Sequence, residues 1–402
     1  MGRLRYITLL LAVCSALLLA SCDRSGDKPE EPSTPQTIIV YMAGTDLGWA
    51  FAGNIQDIEN ALLKGIQKQS RVVVVWQNGR ATQAEAMELI YKEGIIERKT
   101  INTYDLPQAM DSATLGGIFR DVMRFAPAAS YGLIMGAHSW AWVPIDNYDE
   151  IKYNGMTKAE MLKRPRIEIP RHMLTRFIGD PSKPQNRFDI TTLAEAIDST
   201  GEQFEYILFD ACFMANVEAA YELRNCTKYI IGSACEIMGS GFPYLQTMPY
   251  LLQDGGRSYD LKRAAETYHT HYKNTLGYSG TISLIACSQL DALAEAMKRV
   301  NKSMNKEYQL SEIQTYEGGT NHIFFDLGDY IDKACSDSGA VTAFRTQLAK
   351  TVPAKFTLDT FWTTYVNPDY YPITSYSGLS TSAPSVLCRD AYIKSAWYQA
   401  TH

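Results

Sequence analysis

The stretch FEYILFDACFMANVEAAYEL, residues 204–223, limits the folds open to this chain more than any other. A short apolar run, Tyr206 to Phe209, stops at Asp210-Ala211-Cys212, and apolar periodicity resumes from Val217 to Leu223. That pattern predicts a buried strand, a tight turn and a helix. Cys212 then stands at the carboxyl end of a strand, the edge at which open α/β sheets keep their binding crevices. SYGLIMGAHSWAW, residues 130–142, repeats the arrangement, with Leu133, Ile134 and Met135 leading into Gly136-Ala137-His138. A thiol and an imidazole at two strand ends can form a thiolate–imidazole dyad. Taken singly, each residue has an ordinary reading, because free cysteines are among the most buried residue types.

The rest of the chain repeats the strand–helix alternation. TIIVYMA, residues 37–43, and the β-branched RVVVVW, residues 71–76, read as buried strands. Residues 50–64, 112–125 (with Ser112 as cap) and 191–199 read as helices, and 228–233 as a further strand. Residues 86–94 and 95–101 alternate as an antiparallel hairpin would. Strands alternating with helices predict an α/β fold with a mainly parallel sheet. Beyond residue 256 the pattern is mainly helical (258–274, 288–302, 326–335, 339–350), interrupted by a strand at 280–286. The expected organisation is a core over 37–256 with a C-terminal α/β part, 257–402, packed on it.

The N-terminus speaks to compartment. Arg3 and Arg5 precede an apolar run, Tyr6 to Ala20, that is short for a membrane span. The run ends in Leu19-Ala20-Ser21-Cys22, the lipoprotein form of a signal-peptide cleavage site. Residues 1–21 therefore read as a signal peptide and Cys22 as the lipidated first residue of the mature chain. Residues 22–36 read as a flexible tether with little to bury. The expected product is an exported lipoprotein, anchored to a membrane at the periplasmic face or the cell surface. The full chain carries 38 basic and 44 acidic residues, net −6. Loss of Arg3 and Arg5 with the signal leaves net −8, the wrong sign for a nucleic-acid binder. Of eight cysteines, Cys212, Cys226, Cys235, Cys287, Cys335 and Cys388 remain, scattered and without a CxxC pair, so no disulfide can be assigned. His269 and His271, two apart, do not share a helix face, and no metal site is expected.

Between the histidine and the cysteine lies a long polar excursion. From Glu150 to Arg187 it holds nine basic residues and four prolines. A connection of that length is commonly functional; a solvated loop and a processing site are both open readings.

Together, YMAGTDL (41–47), GLIMGAHSWAW (132–142), FDITTLAEAI (188–197), FDACFMANVEAAYEL (209–223) and SACEIMGSGFPY (233–244) resemble the clostripain family of cysteine peptidases. The likeness runs from about Thr37 to the C-terminus and is nearest to exported lipoprotein members. It implies a caspase-like α/β/α sandwich and a His–Cys dyad at adjacent strand ends, with His138 as general base and Cys212 as nucleophile. It also implies cleavage after Arg or Lys and self-cutting in the loop between the dyad residues. Asp210 matches the family's acid facing a basic substrate side chain. Capping of the following helix is its competing role. Glu236 is a second acid near the expected pocket wall, Ser233 to Tyr244. One departure stands out: His138-Ser139-Trp140 replaces the family's usual His-Gly, so a side chain crowds the oxyanion approach and Trp140 narrows the cleft.

The implied chemistry is physically coherent. A thiol titrates near about 8.5, so activation is needed, from the His138 imidazolium and from a helix starting just after Cys212. Backbone N–H groups of Ser139 and Cys212 are the candidate oxyanion donors. The expected function is a lipid-anchored cysteine endopeptidase acting on peptides and proteins. It needs no cofactor, although a calcium response is left open. The alternative is a weak or inactive peptidase-fold lipoprotein that binds a peptide or partner.

Overall fold

The apolar runs pair side by side, as their two-sided burial requires. In the computed structural model, residues 34–402 are described apart from 45, 78–81, 155, 158, 161–162, 164–186, 278–279 and 366. The expected signal peptide, most of the tether, the Cys22 lipidation site and most of the basic loop lie outside the described residues. Strands β1 (Thr37–Met42), β2 (Arg71–Trp76), β3 (Gln83–Lys92), β4 (Ile95–Asp105), β5 (Tyr131–Gly136), β6 (Phe204–Asp210), β7 (Thr227–Gly232), β8 (Thr281–Ala286) and β9 (Ala354–Thr357) form one nine-stranded sheet. Its order is β9-β8-β7-β6-β5-β1-β2-β3-β4. The five central strands, β7 to β2, are mutually parallel, and antiparallel pairs close both edges. β1 and β5 are buried along their whole length, which explains their lack of polar alternation. The outer strand β4 is largely exposed and carries Glu97, Arg98 and Lys99, charges that discourage edge-to-edge pairing.

Helices cover both faces. α1 (Gly48–Ala61) packs on α5 (Tyr244–Leu251), and α5 on α6 (Leu261–Thr275). α2 (Ser112–Phe125), α3 (Ile190–Asp198), α4 (Val217–Glu222) and α7 (Leu290–Asn301) pack in series. This is the caspase-like α/β/α sandwich. Two local expectations are corrected. The cap of α2 is Asp111, which accepts from the Thr114 N–H at 2.7 Å, not Ser112. α4 starts at Val217 rather than directly after Cys212, and Asn216 caps it through the Ala219 N–H at 3.0 Å.

The C-terminal residues belong to the same framework. β8 and β9 extend the sheet, and the Ser380 N–H donates to the Ala215 carbonyl at 2.8 Å, in the turn beyond β6. Nearby, the buried Glu218 on α4 accepts from Thr381 Oγ1 (2.6 Å), the Ser382 N–H (3.0 Å) and Asn216 Nδ2 (2.6 Å). Burial outweighs these donors and pushes its carboxyl up from 4.5 to about 7. The folded chain thus holds a proton that the unfolded chain releases. Stability is expected to fall as pH rises from about 4.5 to 7, by about 3 kcal/mol for this group, and to level off above. Urea unfolding at several pH values should show this slope in the parent and its loss in Glu218→Gln.

Candidate active site

Parallel pairing of β5 with β6 sets the site's geometry. Gly136 pairs with Asp210, so His138 and Cys212 each stand two residues beyond the same rung. The Ala137 N–H donates to the Asp210 carbonyl at 3.3 Å, which carries the pairing one step further. Adjacent strands lie about 4.8 Å apart, and both residues leave the sheet at its carboxyl edge. β1 contributes a third group. Met42 pairs with Gly136, and Asp46 in the following turn places Oδ2 2.9 Å from His138 Nε2. His138 Nδ1 is buried and meets no hydrogen-bonding partner among the described residues. An imidazole held at Nε2 by a carboxylate has its Nδ1 lone pair left to exchange a proton with a neighbour.

Cys212 is buried. Its sulfur accepts the Ile237 N–H at 3.3 Å, which ties it to the segment after β7. The helix expected at its shoulder is displaced. Residues 213–216 form a turn before α4, and a helix-terminal field fades within one turn, so α4 is not the activator proposed from sequence. The turn is braced instead by backbone bonds from Phe213 N–H to the Cys235 carbonyl (3.2 Å) and Ala215 N–H to the Ser233 carbonyl (2.8 Å). Gly232 makes this approach feasible: a Cβ there would meet the Met214 carbonyl carbon at 3.0 Å. All six described cysteines are buried, and none of them forms a disulfide.

The His-Ser-Trp departure has a structural explanation. Ser139 Oγ donates to Met214 Sδ at 2.8 Å and accepts the Ala141 N–H at 2.9 Å, so its hydroxyl is held within the loop. Trp140 is buried, stacked on Phe213 (centroids 5.0 Å) and Phe324 (5.8 Å), with Tyr365 edge-on at 4.6 Å. It clamps the loop after β5 to the turn after β6, and it also lines the cavity beside His138. Ala141 and Phe213 both take positive φ, +53° and +62°. Strained backbone beside both dyad candidates persists because this aromatic stack over-determines it.

The two acids separate. Asp210 is buried, and Tyr244 on α5 donates to its Oδ2 at 2.8 Å. Asn216 holds the capping position, which removes the competing reading of Asp210. Glu236 is equally buried, but its carboxylate accepts from Thr363 Oγ1, from the Thr364 N–H (3.2 Å) and Oγ1 (3.0 Å), and from the Tyr365 N–H (3.3 Å). A buried charge needs such donors. These bonds anchor residues 363–365. Sequence reasoning missed Asp46, Tyr244 and the Ile237 N–H. Asp46 lay inside the YMAGTDL string, whereas the other two depend on tertiary contacts.

The sequence matches the clostripain family over residues 40–380. The chain is similar to iotapain, a secreted C11 cysteine protease from Bacteroides thetaiotaomicron, at 32% identity and a TM-score of 0.79, covering 93% of this chain and 100% of that one. An inactive zymogen C11 protease from Parabacteroides distasonis aligns at 25% identity and a TM-score of 0.74, with 93% and 100% covered. A clostripain from Bacteroides thetaiotaomicron, solved with the peptide inhibitor BTN-VLTK-AOMK, shares 37% identity at a TM-score of 0.51, over 54% of this chain and 96% of that one. No curated protein sequence matches.

Proposed function

The chain belongs to the clostripain family of cysteine peptidases, and from that premise we propose that it is an endopeptidase cutting after Arg or Lys through Cys212 and His138. The observation that carries this reading is the β5–β6 register, which aligns a cysteine and a histidine at the same edge of the sheet. In the proposed reaction the Cys212 thiolate attacks the scissile carbonyl. The oxyanion is met by backbone N–H groups of Cys212 and Ser139. His138 protonates the departing amine, and water then hydrolyses the thioester, returning the proton to the dyad. No cofactor enters these steps. Asp46 acts as a positioning residue, because it holds Nε2. Its side chain is 40% exposed, which weakens the effect relative to a sealed triad acid. Asp46→Ala is expected to lower kcat about 10- to 100-fold with little change in KM. Partial recovery in Asp46→Glu would distinguish positioning from folding.

Asp210 supports specificity for a basic residue, since a buried carboxylate at the strand end can pair with a lysine or guanidinium group. The lysine at the end of the inhibitor peptide bound by the related clostripain is consistent with this. Burial of Cys212 supports latency in the uncut chain: a peptide cannot reach a sulfur without exposed surface. Self-cutting in the basic loop would then activate the enzyme. The Leu19-Ala20-Ser21-Cys22 string supports export with a lipid anchor, and among the described residues no helix is long and apolar enough to cross a membrane. The same burial of Cys212 also fits a chain that keeps the fold as a peptide binder. Fluorogenic peptides ending in Arg, Lys, Asp or Asn, offered to protein beginning at residue 23, before and after brief trypsin nicking, decide the matter. Turnover confined to Arg and Lys is expected; none under either condition favours the binder.

A further inference from the structure

A cavity of about 120 Å³ lies against His138 and Asp46. Its walls are mostly apolar, with Met135, Phe209, Met214, Leu193, Val143 and Ile190 prominent. Cys212 does not line it. We propose that this cavity receives the side chain of the residue just after the cleaved bond, and that it selects a bulky apolar group there. The inference rests on the peptidase reading and extends it to the primed side of the substrate.

Two independent arguments place that side chain here. The first concerns faces. Consecutive side chains of an extended peptide point to opposite sides. Asp210, the partner of the basic residue, meets Tyr244 of α5 on one face of the sheet. Its strand neighbours Phe209 and Ala211 point the other way and line the cavity with Leu193 of α3. A peptide that commits its basic side chain to Asp210 therefore aims the next side chain towards the opposite face, where the cavity lies. The second argument concerns the proton. His138 delivers it to the departing nitrogen, which belongs to the residue after the bond. That residue's α-carbon is one bond from this nitrogen, and the ring that serves it forms part of the cavity wall.

Size and polarity set the selection. An apolar cavity of roughly 150 Å³ accepts a benzene molecule, so about 120 Å³ suits an isobutyl group or a compact ring. A glycine would leave apolar surface uncovered, and a carboxylate would lose its water against Met135 and Phe209 and face Asp46 and Asp189, which line the cavity with Arg187. One side chain's worth of apolar contact discriminates about 10- to 200-fold.

The test uses internally quenched peptides identical except for Gly, Asp, Leu or Phe after the arginine. An arginine methyl ester, whose leaving group is methanol, reports on the dyad and Asp210 without any primed residue. We expect kcat/KM for Leu and Phe to exceed that for Gly and Asp by about 10-fold or more. Val143→Phe, which adds a ring at the cavity wall, should bring the Leu peptide down to the Gly rate and leave the ester rate unchanged. Equal cutting of the Gly and Leu peptides by the parent overturns the proposal whatever the variant does. Full retention of the Leu preference in Val143→Phe, with the ester rate intact, overturns it also. If the parent hydrolyses neither peptides nor ester, both before and after brief trypsin nicking, the peptidase reading itself fails, and this inference with it.

Discussion

Cys212→Ala is expected to reduce turnover of arginyl and lysyl peptides to background, a loss of about 10⁴- to 10⁶-fold in kcat. The argument is chemical rather than structural. A methyl group cannot form the thioester, and the hydroxyl of Ser139, next to His138, is held by Met214 Sδ and the Ala141 N–H. Removing the sulfur also strands the Ile237 N–H that it accepts. A buried donor without a partner costs about 1–3 kcal/mol, so lost activity in the alanine variant alone could reflect lost stability. Cys212→Ser separates the two. Its hydroxyl still accepts from Ile237, so its thermal midpoint should stay close to the parent's, while its activity should fall nearly as far because an alcohol is much less acidic than a thiol. Intact-mass analysis of the same proteins tests self-cutting. The parent should break between Asp149 and Asp189, and both variants should remain single chains. An alanine variant that still cuts, in either assay, would move the nucleophile elsewhere.

The sheet was legible from sequence because its central strands are apolar on both sides. RVVVVW and TIIVYM have no polar alternation to confuse with an exposed strand, and the structure bounds them at Arg71–Trp76 and Thr37–Met42. The hairpin of β3 and β4 was legible for the opposite reason, since alternation marks a half-exposed pair. What failed to read was local chemistry at helix starts. Asp111 and Ser112 are both good caps, as are Asp210 and Asn216, and propensity cannot choose between neighbours. The choice at Asn216 follows from tertiary structure: Ser380 and Ser233 hold the intervening turn in place. The same limit hid the partners of Trp140 and Glu236. A tryptophan next to a candidate catalytic loop suggests a cleft, and an acid near a pocket wall suggests a ligand. Their partners, Phe324 and Tyr365 for one and residues 363–365 for the other, lie more than a hundred residues away in sequence. The strain at Ala141 and Phe213 is likewise invisible in composition, because neither residue type favours positive φ.

If the proposed selectivity for basic residues rests on Asp210, Asp210→Asn should leave a weaker and less selective peptidase. The substitution keeps the shape of the side chain and keeps an oxygen that Tyr244 can donate to, so the packing between β6 and α5 is preserved. What it removes is the negative charge opposite a desolvated lysine or guanidinium group. Truncating one partner of such a pair costs about 2–5 kcal/mol, and a neutral amide retains part of the hydrogen bonding. The expected loss in kcat/KM for arginyl peptides is therefore about 30- to 1000-fold. For peptides with citrulline in place of arginine, which is similar in shape but uncharged, the change should be less than about threefold. The ratio of the two rates is the informative quantity, since any general damage to the site cancels in it. A ratio that stays at the parent's value, with both rates reduced together and a lowered thermal midpoint, would assign Asp210 to packing against Tyr244 and leave the preference for basic residues to be sought elsewhere in the cleft.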